Sequence, residues 1–306
     1  MKKTLLIILT ILTAAQSASA QGCSDAGFCS IGSFKHQQSD ESSSRHKLGI
    51  QFSNGIGDES VYIFTPAIQY DLRINNHWAI QAKLTANYAN GNLGSAFAPG
   101  DIILTGSKTF PLDKKWKLIG TIGGKFPLSN SNLKTNGQSL PMQYQSSLGT
   151  VDLIAGLSAV QQKWSFSIAY QQPLTGTNGN NFLPVYFNNS NEALKYPPGN
   201  DFKRKADLLG KASYHFTKNK WTFIPGLLGI YHLGEDSYID GSISNKPILL
   251  KGSSGLTLNG TLSVFYKANQ KISLGIVSGT PFVVRDIRPD GLTRKFVVSP
   301  ELTINF

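Results

Sequence analysis

The sequence predicts an all-β protein: a transmembrane, antiparallel, up-and-down β-barrel of about twelve strands with a short N-terminal segment in front of it. Three observations predict this fold. Strands with one apolar and one polar face recur along the chain, short turns alternate with long polar loops, and all four tryptophans directly follow a short turn. Membrane barrels combine these features because lipid covers one face of each strand and their two rims carry different connections.

The first twenty residues have the pattern of a secretory signal peptide. Two lysines precede an apolar stretch at 5–12, and small residues fill 17–20. This order is the one that signal peptidase recognises, so we expect cleavage after Ala20. An uncleaved anchor helix is one alternative, which the short apolar stretch disfavours. A lipoprotein linked through Cys23 is another, which Gln21 disfavours.

The composition favours an exported, β-rich envelope protein. Charged residues make up 15 % of the chain, below the roughly 25 % that is usual for soluble domains, while 30 glycines and 10 % aromatics are present. No apolar run after residue 20 reaches the roughly 18 residues that a spanning helix needs. The net charge of +11 is dispersed, which predicts an anionic membrane surface rather than nucleic acid as the partner.

Residues 21–45 precede the first predicted strand and contain both cysteines of the chain. In an oxidising compartment, Cys23 and Cys29 predict a disulfide that closes a small loop. A metal site is the weaker alternative, because only His36 lies at all close and further ligands are missing. A disulfide loop favours an ordered cap or plug over a disordered leader, and both interpretations stay open here.

Residues 46–306 form the predicted barrel. A tight polar turn followed by a tryptophan and a new alternating run occurs four times, and a fifth copy at 269–272 lacks the tryptophan. A soluble β-sandwich also has many short strands, but it would not sort its turns and tryptophans to one end. The predicted strands are 46–54, 61–72, 77–88, 100–110, 115–127, 147–160, 163–173, 203–216, 220–231, 253–267, 271–281 and 294–306.

Aromatic side chains at the short turns predict a girdle at the membrane interface. Tryptophan is typical of the lipid headgroup level, where one end of the ring is apolar and the other wet. The final residue is aromatic too, an ending that the barrel-assembly machinery reads in outer-membrane barrels. Strands 115–127 and 220–231 alternate poorly, so their faces stay unassigned. The predicted girdle residues are Trp78, Trp116, Trp164, Trp221 and Phe306, with Tyr70, Phe110, Phe216 and Tyr266 beside them.

The inward faces are polar and sparsely charged. Charged groups inside a membrane-spanning region either pair with one another or line a path, and both interpretations stay open. Ile103, Ile119 and Leu209 predict apolar patches that would admit a hydrophobic or amphipathic solute. Pro66, Pro225 and Pro300 interrupt strand patterns and predict local breaks in the ladder. The predicted lumen-lining residues are Lys83, Asp152, Lys205, Asp207, Lys211 and Glu301.

Three segments resemble a known family. They are Gly100-Asp101-Ile102-Ile103-Leu104, Gly123-Gly124-Lys125-Phe126-Pro127-Leu128 and Val298-Ser299-Pro300-Glu301-Leu302. Over roughly residues 46–306 the chain resembles the MetA-pathway phenol-degradation outer-membrane proteins, a group similar to the toluene and long-chain fatty-acid channels. The resemblance implies a monomeric barrel, an N-terminal plug and uptake of small hydrophobic molecules. The cysteine-containing segment is not part of that pattern.

The predicted function is a channel for small, hydrophobic or amphipathic molecules in the outer membrane of a Gram-negative bacterium. Its expected partners are outer-membrane lipid, the assembly machinery and a small solute, with no cofactor and no metal. A structural or adhesive barrel that acts through external loops such as 174–202 is the alternative. A lipid hydrolase is a minor one, because residues 51–55 resemble a His-x-Ser-Asn-Gly signature. Gln51 replaces the histidine, so Ser53 lacks a base and we expect no enzyme.

Overall fold

The computed structural model describes residues 44–113, 115–188, 190–291 and 295–306. The predictions for the signal peptide, for the Cys23–Cys29 disulfide and for most of the cap or plug segment therefore lie outside the described residues. The described part is dominated by strands that pair antiparallel. It contains no helix that is long and apolar enough to cross a membrane.

Seventeen strands are described, and most of them form one closed wall. The connections at one end of the wall are short turns, and those at the other end include long loops, which we call the short-turn rim and the long-loop end. The strands are β1 (His46–Ile56), β2 (Tyr62–Arg73), β3 (Trp78–Gly91), β4 (Gly94–Pro111), β5 (Lys117–Pro127), β6 (Lys134–Thr135), β7 (Gln138–Ser139), β8 (Asp152–Val160), β9 (Trp164–Pro173), β10 (Asp207–Tyr214), β11 (Phe216–Lys218), β12 (Trp221–His232), β13 (Ser237–Asp240), β14 (Ser244–Leu249), β15 (Gly255–Lys267), β16 (Ile272–Val283) and β17 (Phe296–Asn305).

The wall is a twelve-strand up-and-down barrel, which confirms the predicted fold class and strand number. Each wall strand pairs with its neighbours in sequence, and β1 pairs with β17 to close the cylinder. Strands β10 and β11 count as one, since both pair with β12. The hairpins β6–β7 and β13–β14 lie outside the wall, within two of the long loops. Closure leaves the wall without an unpaired edge.

The predicted strands 77–88 and 100–110 leave residues 89–99 between them as a loop, and this prediction is wrong. Residues 89–99 form the end of a long hairpin, because β3 runs to Gly91 and β4 starts at Gly94 after a two-residue turn. The polar and glycine-rich composition favoured a loop, whereas contacts beyond the wall support strand there. The backbone N–H of Leu93 donates to Tyr144 Oη at 3.1 Å, and Gly94 has a φ of 130° that suits glycine.

The three prolines that interrupt strand patterns coincide with gaps in the ladders. The β10–β12 pairing ends at Gly226 and the β11–β12 pairing begins at Phe223, so Pro225 lies where β10 and β11 separate. The β2–β3 register skips Pro66, and the β1–β17 register skips Pro300. Proline has no N–H to donate, which explains the missing rungs. Pro66 and Pro300 lie in the strands on either side of β1.

Alternating exposure assigns the two faces of each wall strand. Outward side chains are large, apolar and exposed, whereas inward ones are buried and mostly polar. In the two poorly alternating strands the burial of side chains alternates in the same way, although their polarity does not. In β12, Ile224 and Leu228 point inward, so apolar residues occupy both faces. In β5, Gly120 and Gly124 occupy outward positions where a large side chain was expected.

A layer of packed loops covers the long-loop end. We call it the loop cap and define it as the described residues of 128–151, 174–206, 233–254 and 284–295. It holds three short 3-10 or α-helical turns, Met142–Tyr144, Pro184–Tyr186 and Ser190–Ala193. Its apolar cores rest on the tips of β2, β3 and β4. The core residues include Val61, Ile63, Leu93, Leu140, Tyr144, Phe182 and Tyr196 in one cluster and Met142, Leu148, Phe202 and Leu250 in another.

Candidate functional site

The lumen contains an apolar patch along one half of the wall. It is formed by one inward residue each from β4, β8, β9 and β10 and two from β12, which brings together positions far apart in sequence. Each of the five core members is at most 4 % exposed, so side chains fill the lumen at this level. We call this set the lumen patch; it consists of Ile103, Ile154, Ala169, Leu209 and Leu228, with Ile230 packed against them.

A buried ion pair lies beside the lumen patch. Lys125 Nζ on β5 is 3.0 Å from Asp152 Oδ2 on β8 and 4.0 Å from Asp101 Oδ2 on β4. Asp152 also accepts hydrogen bonds from Gln171 Nε2 and, at 2.6 Å, from Thr150 Oγ1. One lysine thus meets two carboxylates from strands on either side of it, next to apolar side chains.

The opposite half of the lumen carries a ladder of polar side chains. Lys83 Nζ on β3 donates to Gln51 Oε1 on β1 at 3.3 Å. Gln69 and Gln81 donate to the two carboxylate oxygens of Asp71 at 2.8 and 2.6 Å. These bonds run across β1, β2 and β3, so amide and charged groups line the lumen along these three strands. The lumen is therefore two-sided, with an apolar and a polar half.

Several buried polar atoms in the lumen lack a protein partner. Gln171 Oε1, Asn259 Oδ1 and Ser213 Oγ are inaccessible, and no hydrogen bond to them occurs within the described part of the chain. A buried polar group without a partner costs free energy comparable to a lost hydrogen bond. All three residues occupy inward positions of wall strands, on β9, β15 and β10.

A second cluster of charges joins the loop cap to the wall; we call it the mouth cluster. Arg204 donates to Asp207 at the start of β10, and its Nε is 3.4 Å from Asp290 Oδ2. His232 at the end of β12 places Nδ1 2.7 Å from Asp207 Oδ1 and Nε2 2.8 Å from Asp236 Oδ1. Two carboxylate acceptors suit an imidazolium, which donates from both ring nitrogens.

Asp290 is held by two arginines from different loops. Arg285 Nη2 is 2.9 Å from Asp290 Oδ2, and its Nη1 donates to the Ser253 carbonyl at 2.6 Å. Burial alone would raise the pKa of Asp290, but the guanidinium groups of Arg285 and Arg204 outweigh burial and hold the pKa well below its usual range. Asp290 is thus ionised whenever the cap is folded at neutral pH.

A further ion pair ties the cap to the loop after β1. Arg288 donates twice to Asp58, with Nη2–Oδ1 at 2.8 Å and Nε–Oδ2 at 3.2 Å. Here burial is the larger effect and raises the pKa of Asp58 in spite of the guanidinium. One arginine therefore does not offset the burial of this carboxylate, whereas two arginines offset that of Asp290.

The structure places five of the six predicted lumen residues at inward positions of wall strands. Lys83 and Asp152 lie within the lumen contacts described above, and Asp207 belongs to the mouth cluster. Lys211 on β10 and Glu301 on β17 are half-buried inward residues nearer the short-turn rim, with Glu301 opposite Gln51 in the β1–β17 register.

Lys205 requires a correction. It was expected within a strand starting at 203, but β10 starts at Asp207, and Lys205 is an exposed residue of the cap. Its neighbour Arg204 is the buried one. Sequence reasoning also missed Lys125 and Asp101. The family-like segment around Lys125 contained the signal, but poor alternation of 115–127 hid the face on which the lysine lies.

The predicted girdle residues all lie at the short-turn rim. Trp78, Trp164 and Trp221 are the first residues of β3, β9 and β12, and each is more than 40 % exposed. Trp116 directly precedes β5, and Phe306 directly follows β17, where its ring stacks on His46 with centroids 5.7 Å apart. The outward side chains at this rim thus form an aromatic ring around the barrel.

Ser53, considered as a nucleophile, faces the interior of the barrel. It is buried, and its hydroxyl accepts a hydrogen bond from Ser299 Oγ at 2.7 Å. A second hydroxyl does not serve as a general base for a serine at neutral pH. The geometry around Ser53 therefore gives no support to a serine hydrolase.

A search with models of protein families gives no match, and a search of the curated proteins gives none either. Among solved structures, the chain is similar to an outer membrane channel from Pseudomonas putida F1, with a TM-score of 0.60 and 12 % identity over 86 % of this chain and 96 % of that one. At this identity the likeness establishes the barrel fold alone.

Two further solved structures are more distant. A NanC porin has a TM-score of 0.46 and 11 % identity over 85 % of this chain and 98 % of that one. The CymD monoaromatic hydrocarbon channel has a TM-score of 0.43 and 10 % identity over 95 % of both chains.

Proposed function

We propose that this protein is a channel for small molecules in the outer membrane of a Gram-negative bacterium. The observation that carries the proposal is the two-sided lumen inside a wall whose outer face is apolar and exposed. In water such a wall would be an aggregation surface, whereas in lipid it is the expected outer face of a barrel. The similar structure from Pseudomonas putida F1 is an outer membrane channel, which supports the same function.

The lumen patch supports a hydrophobic or amphipathic solute. Burying about 100 Å² of apolar surface contributes roughly 2.5 kcal/mol, so an aromatic ring gains affinity against these side chains that a sugar does not. The amides and Lys83 on the other side suit a polar or anionic group on the same molecule. We also propose that the chain belongs to the phenol-degradation outer-membrane family, because uptake of small hydrophobic molecules is the function that this resemblance implies.

Export by the N-terminal signal peptide and assembly as a monomer complete the proposal. We also propose that the segment 21–45, with a disulfide between Cys23 and Cys29, caps or plugs one mouth of the barrel. The supporting observation is that β1, the first described strand, begins at the short-turn rim.

The test measures the permeability of two anions that differ only in their apolar part. Purified protein in planar bilayers is bathed in sodium benzenesulfonate on one side and sodium methanesulfonate on the other, and the reversal potential gives the permeability ratio. We expect the ring-bearing anion to be preferred. Leu209→Asn, in the lumen patch, lowers that preference roughly tenfold if it removes about 1.4 kcal/mol of contact with the ring.

Leu208→Asn is the matched control, because Leu208 is the adjacent residue of β10 and faces outward. Its permeability ratio should equal that of the unaltered protein. Absence of any conductance in inserted protein would contradict the channel and favour the structural or adhesive barrel. Conductance with no preference for the ring would contradict the hydrophobic solute. Release of fatty acid from vesicle lipid, lost in Ser53→Ala, would favour a hydrolase.

A further inference from the structure

The outer face of the wall contains a groove that the channel does not use. It is a shallow, open groove with a volume of about 610 Å³, and its lining is almost entirely apolar. The groove crosses β4, β5, β8 and β9, with Trp78 of β3 at one end and Leu208 of β10 at the other. Its walls are large outward side chains, namely Phe110, Ile122, Leu157, Ile168 and Tyr170.

Glycines lower the floor of this groove. In the β4–β5 register Gly106 pairs with Ile122 and Gly120 pairs with Lys108, so two neighbouring rows of the wall each lack one side chain. A Cβ added at Gly106 would meet no atom within 4 Å, and Gly106 is not in the left-handed region. Neither backbone strain nor internal packing therefore requires glycine here. Glycine inside a strand is unfavourable and often marks the close approach of a ligand.

A lysine lies at the rim end of the groove. Lys108 Nζ is 5.0 Å from the ring centroids of both Trp78 and Phe110, and all three residues line the groove. Among the described residues no carboxylate lies within ion-pair distance of Lys108. A cation placed on aromatic faces at the level of the girdle is complementary to an anionic headgroup.

We propose that this groove binds one anionic phospholipid of the leaflet at the short-turn rim. The phosphate lies against Lys108 and an acyl chain fills the glycine-floored groove. Charge complementarity identifies the occupant, because an uncharged hydrophobe would leave the Lys108 ammonium without an anionic partner. The proposal rests on the proposed location in a membrane. It assigns to the outer face of the wall a specific lipid site rather than a uniform lipid contact.

Native mass spectrometry of detergent-purified protein tests the proposal. The probes are palmitoyl-oleoyl phosphatidylglycerol and palmitoyl-oleoyl phosphatidylcholine, each titrated alone. We expect one phosphatidylglycerol to bind more tightly than any phosphatidylcholine. Lys108→Gln should weaken phosphatidylglycerol binding roughly five- to tenfold, as expected for one lysine at a lipid surface, and leave phosphatidylcholine unchanged.

Two control variants match these changes elsewhere on the wall. Lys271→Gln removes one positive charge from the same rim, in the turn before β16 on the opposite side of the barrel. Gly106→Leu fills the groove and should weaken both lipids. Gly229→Leu adds the same side chain on the outer face of β12, where a Cβ meets only ordinary contacts of 3.8 Å or more. Both controls should bind both lipids as the unaltered protein does.

Equal losses in Lys108→Gln and Lys271→Gln would overturn the proposal, because any rim charge would then suffice. Loss of a dimer instead of a bound lipid in Gly106→Leu would also overturn it and would assign the groove to a second copy. The heat-modifiable electrophoretic shift of a folded barrel confirms that each variant is intact. Because the groove lies outside the lumen, its variants should conduct normally, so failure of the channel and failure of the lipid site are distinguishable.

Discussion

The wall and the loop cap both bury charged side chains, but they depend on them differently. In the wall, β4, β5 and β8, which hold Asp101, Lys125 and Asp152, are already joined by backbone ladders. In the cap, Arg204, Arg285 and Asp290 lie outside any strand; Arg204 meets Asp290 across two loops, and Arg285 meets it within one of them. The same kind of ion pair is therefore an addition to the wall, whereas in the cap it holds the structure together.

This difference between wall and cap indicates which buried charges are available to interact with a solute. A β-ladder satisfies backbone groups without help from side chains, so an inward charge in the wall is able to interact with a solute. A loop has no such ladder, and its buried charges must compensate one another. We therefore propose that Lys125 and Asp152 act on the permeation path and that the mouth cluster keeps the cap closed.

The largest expected effect is the loss of the cap's central carboxylate. Asp290→Asn removes the carboxylate that lies within ion-pair distance of both Arg285 and Arg204. Removing one member of a buried ion network costs about 3 kcal/mol, because the remaining charges stay buried. We expect hydrogen exchange of the amides in the cap to accelerate roughly a hundredfold, while the ladders of the wall keep their protection.

Asp286→Asn is the control for this experiment, since Asp286 lies in the same loop and is exposed. It should leave the exchange of the cap unchanged. Equal protection of the cap in both variants would mean that packing of the apolar clusters alone closes the cap.

The pH dependence of the cap distinguishes Asp290, within the cap, from Asp58, which pairs with the cap residue Arg288. The folded pKa of Asp290 is below its unfolded value, so its contribution is present above pH ~3.9 and is lost as pH falls toward the folded pKa. The folded pKa of Asp58 is above its unfolded value. Its protonation therefore stabilises the cap as pH falls through the window just above ~3.9.

Proteolysis of the cap as a function of pH measures these windows. The protease is acid-tolerant, and a matched unstructured peptide serves as the reference. We expect resistance to rise slightly on mild acidification and to fall below pH ~3.9. Asp58→Asn should abolish the part of the rise that lies just above pH ~3.9 and keep the fall. A cap whose resistance falls steadily from neutral pH in the unaltered protein would contradict the assignment to Asp58.

The smallest expected effect concerns the wall. Lys125→Met leaves Asp101 and Asp152 charged in the lumen, so the cation-to-anion permeability ratio should rise. An interaction of about 1 kcal/mol corresponds to a change of roughly fivefold. The reversal potential in a potassium chloride gradient measures the ratio. Lys117→Met, at the exposed rim end of the same strand, should change the ratio much less.

Local pattern made much of the wall predictable. Alternation with a period of two identified the strands, and the short turns ahead of Trp78, Trp164 and Trp221 identified one rim. The pattern failed where the lumen departs from a polar lining. Ile224 and Leu228 belong to an apolar half of the lumen, so β12 shows no alternation although its backbone is an ordinary strand.

The cap was the least predictable part of the molecule. Arg204 and Asp290 are separated by 86 residues and meet only because several loops fold onto one another. No local period marks such a contact. Lys205 was predicted to face the lumen, whereas its neighbour Arg204 is the buried residue. The reason is the same, because outside a ladder neighbouring side chains follow no fixed alternation.

By itself, the sequence determined the barrel: its number of strands, the rim that carries the tryptophans, and the faces of the clearly alternating strands. These features follow from interactions with lipid and from near-neighbour pairing, which repeat along the chain. Tertiary structure decided the rest, namely the two-sided lumen, the pairing of Lys125 with Asp152, the mouth cluster and the groove beside Lys108. Each of these depends on which strands or loops become neighbours when the wall closes, and that geometry leaves no periodic trace in the sequence.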